Sequence, residues 1–247
     1  MYINTKGLVL RETAYKETSK ILTVLTPDEG RITVSAKGAR RKGSKTAAAT
    51  QLFAFSDMTL SVNNGRYTLT EAQCIELFPG LADDIELAAL GAYFCELLET
   101  VSDEDFTNPQ VLSLGLNALY ALGQEKRSAD LVKAAFELRL MCLAGYEPEL
   151  EYCCVCGKHD IEHPRLDVEN GVVRCRDCRS GSLVTAVLCP GSLEAMRYIV
   201  SCERKRLYSF KLGDEAMGRL SRACQQFVLT QLDRSFKTLS FYNSVRL

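Results

Sequence analysis

Four cysteines constrain this chain more than any other feature: Cys153, Cys156, Cys175 and Cys178 form a C-x2-C-x18-C-x2-C ladder. Each C-x-x-C pair can aim two thiolates at one point from a tight turn, and Gly157 after the first pair suits such a turn. The 18-residue spacer is long enough for a small hairpin that brings the second pair round. Four thiolates favour a closed tetrahedral zinc site, which is structural because no coordination position is left for water or substrate. One zinc ion per chain is therefore expected, and at ~10–16 kcal/mol such an ion couples strongly to the ordering of its loop. Buried apolar cysteines or a redox pair would explain one C-x-x-C, but two at this spacing favour zinc. Cys154 lies inside the ladder and competes as a ligand, although Cys153 and Cys156 have the better spacing.

The chain has 247 residues, 47% of them hydrophobic and 25% charged, which allows a large core and two or three domains. Eleven cysteines would indicate disulfides only in a small secreted domain. The opening Met1-Tyr-Ile-Asn-Thr-Lys6 lacks both the cationic lead and the apolar stretch of a secretory leader. No apolar run reaches the ~18 residues of a membrane helix, so a cytoplasmic protein with reduced cysteines is expected. Cys95, Cys142 and Cys224 sit in helical patterns and read as small core residues. The net charge of −1 conceals two mildly basic ends around an acidic middle: residues 81–150 carry 4 Lys/Arg against 13 Asp/Glu. Local clusters, not the overall balance, must reveal any anionic partner.

Residues 1–80 read as β structure. Ile32, Val34 and Ala36 alternate with polar neighbours, as do Met58, Leu60 and Val62, the period of a strand with one apolar face. Leu8 to Leu10 and Ile21 to Leu25 are short apolar runs, and Pro27 to Gly30 and Asn63-Asn64-Gly65 supply turn chemistry. Five short strands fit a small barrel, either an OB-fold or an SH3-like barrel. From residue 81 the period becomes helical: Ile85 to about Val101, a helix capped by Asn108-Pro109, and another from about Leu131 to Leu143. Pro190 opens a further helix, and Asp214 can cap a long last one to about Leu232. The expected architecture is α+β, with a β-barrel over 1–80 and a helical domain over 81–247. The zinc-binding loop 150–180 is inserted in that domain.

Between Arg31 and Lys45 lie Lys37, Arg40, Arg41 and Lys42, and no acid follows until Asp57. Gly38 and Gly43 make a flexible loop there, and a cationic loop beside an OB-type sheet suits tracking of a phosphate backbone. A solvated surface loop is the plain alternative, which the unbalanced charge disfavours. Lys37, Arg40, Arg41, Lys42 and Lys45 are the candidate nucleic-acid contacts. Two motifs are decoys. Gly38 to Gly43 matches the start of a P-loop, but Ser44 stands where lysine must follow the glycine directly. His159, Glu162 and His163 match H-x-x-E-H, a zinc-hydrolase pattern that needs a helix. Gly157 and Pro164 flank the motif, so a surface turn is expected and the hydrolase reading is the alternative function.

The motifs converge on a family. Gly7-Leu-Val-Leu-Arg11, Tyr15, Ile21-Leu-Thr-Val-Leu-Thr26, Gly30 and Ala36-Lys-Gly-Ala-Arg-Arg41 resemble the N-terminal domain of the RecO family of bacterial DNA repair proteins. The resemblance continues through Leu52-Phe53, Gly65-Arg-Tyr-Thr-Leu69, Asn170-Gly171 with the cysteine ladder, and Arg234-Ser-Phe-Lys-Thr-Leu-Ser-Phe241. It implies an OB-fold, a helical domain and a zinc element held by Cys153, Cys156, Cys175 and Cys178. It also implies a non-enzymatic recombination mediator. RecO-type proteins bind single- and double-stranded DNA, anneal complementary strands, engage RecR and the tail of single-strand-binding protein, and help RecA load. Lys37, Arg40 and Arg41 carry over as DNA contacts, with Lys42 and Lys45 added on charge alone. Arg204-Lys-Arg206, Arg219 and Arg222 form a second basic stretch. Lys133 and Arg139 are candidate rim residues for an acidic tail. A transcription- or RNA-binding module on the same barrel is a third reading.

Overall fold

A computed structural model describes residues 1–104, 107–125, 127–178 and 184–246. Residues 179 and 180, at the end of the expected zinc-binding loop, lie outside the described set. Two compact units emerge: residues 1–126 with 236–247, and residues 127–235.

The first unit is built on a closed barrel of five strands: β1 (Tyr2–Tyr15), β2 (Ser19–Leu25), β3 (Arg31–Ala36), β4 (Phe55–Asn63) and β5 (Arg66–Glu76). Their order is β1-β2-β3-β5-β4, with β1 pairing β4 through its first half and β2 through its second. A bulge between Val9 and Arg11 lets one long strand serve both partners. A short parallel pairing of Val34 with Tyr67 and Ser35 with Thr68 closes the barrel. This closed five-stranded topology is that of an OB-fold. Inward residues follow the expected alternation: Ile32, Val34, Ala36, Met58 and Leu60 are buried with Val9, Leu22 and Val24. Val62 departs from it and is half-buried, because β4 ends at Asn63 in the Asn64-Gly65 turn. That turn has positive φ at both residues (48° and 71°), the geometry that suits a two-residue hairpin.

Helices follow the barrel. A short α1 (Pro79–Ala82) precedes α2 (Ile85–Val101), whose Asp84 cap accepts from the Glu86 and Leu87 amides. α3 (Pro109–Gly123) is capped by Asn108 in the same way, as its sequence predicts. The chain end returns as α7 (Lys237–Val245), which packs on α2; Phe236 meets Tyr93 edge-on at 5.8 Å.

The second unit holds α4 (Ala129–Leu143), α5 (Pro190–Ser201) and α6 (Asp214–Gln231), with α4 against both others. Asp214 is the first residue of α6 and not its cap, which is Gly213. A three-stranded antiparallel sheet of β6 (Pro164–Asp167), β7 (Val172–Cys175) and β8 (Thr185–Val187) sits between α4 and α5 in the chain. β6 and β7 form the hairpin that the 18-residue spacer requires.

Candidate metal centre and nucleic-acid interface

The cysteine ladder closes on itself. The Sγ atoms of Cys153, Cys156, Cys175 and Cys178 all lie within 4.8 Å of one another, and Cys156 and Cys175 are 3.7 Å apart. A tetrahedral ion with Zn–S bonds of ~2.3 Å would set sulfur atoms about 3.8 Å apart, so the donor set fits a metal ion. The first pair turns through Gly157, whose amide donates to the Cys153 carbonyl at φ +73°. The second turns through Cys178, whose amide donates to the Cys175 carbonyl. The Cys175 amide donates to Cys153 Sγ at 3.3 Å, and Arg174 Nη1 holds the Cys178 carbonyl at 2.6 Å. Cys154 is exposed, outside this set, and its amide is tied to Val173.

Electrostatics show why four thiols so close together call for a cation. Burial works to raise the Cys153 thiol, but hydrogen bonds from its surroundings outweigh it and bring the group down to about 6. Burial and hydrogen bonding with Cys156 and Cys153 push Cys175 up to about 12. Contact with Cys156 is the first cause of the rise of Cys178 to about 11. One thiolate thus suppresses ionisation of its neighbours; a divalent cation would remove that conflict. Three cysteines on helices stand apart from this cluster. Cys95 and Cys224 are buried, with thiols raised first by desolvation, and Cys142 is half-buried and raised to about 12.

The H-x-x-E-H segment has no helix. His159, Glu162 and His163 are exposed on irregular backbone, and the His159 ring packs edge-on against Tyr152 at 5.7 Å. Among the described residues the group with metal-ligating geometry is the cysteine cluster.

The basic loop is a run of hydrogen-bonded turns. Residues 37–47 form consecutive turns, with the Arg41, Ser44 and Ala47 amides donating to Gly38, Arg41 and Ser44 carbonyls. Gly38 and Gly43, at φ +70° and +77°, supply turn conformations. Ala39 is buried in the barrel core and the Arg40 amide donates to Thr18 at 2.9 Å, pinning the loop beside the β1–β2 turn. The Arg40, Arg41, Ser44 and Ala47 amides are thus engaged, and a 3₁₀ turn at Ala48–Thr50 follows in place of a phosphate-capping helix. Lys37, Arg40, Arg41, Lys42 and Lys45 are all exposed. The pinning also brings in a cation that the sequence pattern missed: Arg40 Nη1 lies 3.4 Å from the Lys16 carbonyl, and Lys16 Nζ stands over the exposed Tyr15 ring. The pairing of Lys20 on β2 with Ala36 on β3 brings the loop beside this turn, so composition alone could not have signalled it.

Comparison with known proteins now decides the family. Residues 1–78 match the model described as Recombination protein O N terminal, and residues 82–240 match Recombination protein O C terminal. The chain belongs to the RecO family. It is 28% identical to the DNA repair protein RecO of Acetivibrio thermocellus, over 99% of this chain and 97% of that one. It is 32% identical to the RecO of Bacillus pumilus over 84% of this chain and 80% of that one, and 29% identical to that of Symbiobacterium thermophilum over 98% and 97%. RecO membership makes this a DNA repair protein with an OB-fold barrel, consistent with DNA binding. No described helix is long and apolar enough to cross a membrane.

Two expectations for this RecO chain need correction. Lys133 is buried to 1% exposure on α4 and joins Glu137 at 2.8 Å, so it cannot rim a surface pocket. Arg139 directs Nη2 to the Cys202 carbonyl at 2.7 Å. Within the second basic stretch Arg204, Lys205, Arg206 and Arg222 are exposed, but Arg219 is engaged by Glu215 and the Leu188 carbonyl.

Proposed function

We propose that this chain is a non-enzymatic mediator of homologous recombination. It binds single- and double-stranded DNA, anneals complementary strands, and assists RecA loading on DNA coated by single-strand-binding protein, together with RecR. Its site of action is the nucleoid, in the cytoplasm. The observation that carries this reading is the row of exposed cations at Lys37, Arg40, Arg41, Lys42 and Lys45, held on a pinned loop of a RecO-type barrel.

Annealing two polyanions requires screening of their repulsion without tight retention of either strand. Exposed lysine and arginine side chains on a fixed backbone satisfy both needs: phosphate contacts are individually weak, but they sit in register. Lys16 beside Tyr15 extends the cationic row, and the ring offers a face on which a base can stack. Arg204, Lys205 and Arg206 provide a second cationic surface for the complementary strand. Cys153, Cys156, Cys175 and Cys178 hold one zinc ion, which braces the hairpin of β6 and β7 and performs no chemistry. RecR, the acidic tail of single-strand-binding protein and, indirectly, RecA are the protein partners.

Changing Arg40 and Arg41 together to Ala tests the DNA interface. If both touch phosphate, single-strand affinity at 0.1 M salt falls roughly 10- to 30-fold and the salt slope weakens by about 1.4. Thermal stability changes little, because the backbone of Arg40 makes the stronger anchor. Fluorescence anisotropy across a salt series measures this, and unchanged affinity would remove the loop from the interface. Annealing of complementary oligonucleotides should slow in parallel.

A further inference from the structure

A groove in the 127–235 unit has the wrong charge for DNA. It encloses about 480 Å3 between the segment from Glu147 to Tyr152, which bends at Glu151 and Tyr152, and the end of α5 at Arg197, Val200 and Ser201. Before the bend the backbone meets the sheet at Glu149. The Glu149 amide donates to Gly171 at 2.7 Å, and its carbonyl accepts from Val173, forming a bridge alongside β7. Side chains therefore alternate: Pro148 and Leu150 are buried, whereas Glu147, Glu149 and Glu151 are exposed.

The cation in the groove is already engaged. Arg197 gives Nε to the Leu150 carbonyl at 2.8 Å, Nη2 to the Glu151 carbonyl at 2.7 Å and Nη1 to Glu194. None of the three exposed glutamates takes part in an ion pair among the described residues. The surface left over is a row of carboxylates two residues apart, next to apolar Val200 and the half-exposed Tyr152. In an extended chain that repeat is ~6.5–7 Å, and a second extended chain has the same repeat.

We propose that this groove docks an extended segment of a partner protein bearing Lys or Arg at alternate positions, with apolar residues between them. The cations meet Glu147, Glu149 and Glu151 in register, and the apolar side chains cover Val200 and Tyr152. The cationic loop of a second copy is a poorer occupant, because Lys37 to Lys45 contains no large apolar side chain. The docking reading does not rest on strand annealing.

The test uses the full chain and three fluorescent peptides: alternating Lys-Leu, the same composition with lysines and leucines in separate blocks, and alternating Glu-Leu. The alternating basic peptide should bind roughly tenfold more tightly than the blocked one, as three ion pairs in register would give, and the acidic peptide should not bind. Changing Glu147, Glu149 and Glu151 together to Lys should abolish that preference. Changing all three to Gln should weaken it with less perturbation, and DNA affinity should not fall in either variant. Equal binding of the basic peptides, or undiminished binding to both variants, overturns the proposal. So does sedimentation showing that the wild-type chain self-associates through these glutamates.

Discussion

Changing Cys175 to Ser is expected to abolish the proposed zinc binding and loosen the 150–178 region, with metal content near zero where the intact cluster should hold one zinc per chain. The serine oxygen is a poorer ligand than the thiolate, and three sulfurs no longer close the tetrahedron. The loss is large because a closed zinc site carries ~10–16 kcal/mol of binding free energy that exists only in the folded loop. Without it, the bonds from the Cys153 amide to Lys158 and from the Cys154 amide to Val173 should lose hydrogen-exchange protection. Protection in β1 to β5 should persist, because the barrel core is formed by other residues. Cys154→Ser separates ligand from neighbour: its thiol is exposed and outside the cluster, so this variant keeps its metal. Zinc affinity should also climb with pH, since Cys175 and Cys178, raised to about 12 and 11, must lose protons to bind. Elemental analysis of both variants and zinc titration across pH measure these effects. Metal retained by Cys175→Ser, or lost from Cys154→Ser, would dismantle the four-sulfur assignment.

What could be read from residue order is what local physics controls. Alternation at Ile32, Val34 and Ala36 marks a strand because side chains of a pleated chain point to opposite faces. Asn64-Gly65 marks its hairpin because few residues tolerate positive φ twice in succession. Asn108 before Pro109 marks a helix start because its side chain replaces a missing backbone acceptor. The cysteine spacing revealed the cluster for a similar reason: two tight turns and one hairpin suffice to assemble it. Features set by distant parts of the chain were hidden. The parallel contact of Val34 with Tyr67 closes the barrel across more than thirty residues of intervening chain, and no local pattern encodes it. The return of α7 to α2 is of the same kind; it leaves the Thr238 amide 3.2 Å from Glu96. The cationic loop was visible as charge, but its pinning through Ala39 and Thr18 was not.

The same blindness concealed the ion pair on α4, where the second large effect is expected. Changing Glu137 to Ala should destabilise the 127–235 unit by ~3–5 kcal/mol, the cost of removing one member of a buried pair. Lys133 and Glu137 lie one helical turn apart, at 1% and 0% exposure, with Nζ and Oε1 separated by 2.8 Å. Ala134, Phe136 and Leu140 are buried on the same helix, together with one carboxylate oxygen of Asp130. Desolvation is the main reason the buried Cys224 thiol on α6 is raised; Glu137 raises it further and Lys133 opposes this, so both charges are felt across the packed helices. Truncating either member removes the 2.8 Å contact between the two buried charges. Replacing both together, as Lys133→Met with Glu137→Leu, keeps volume and removes both desolvation penalties. That double variant should be as stable as the wild type, or more stable by up to ~4 kcal/mol. Denaturant unfolding of the four proteins in a double-mutant cycle gives the coupling directly. If the double variant were as unstable as the sum of the singles, the two charges would act independently and the pair would not explain their burial. If it is stable, annealing and DNA affinity become the informative readouts. Because DNA is assigned to the exposed cations and not to Lys133, both should survive the change.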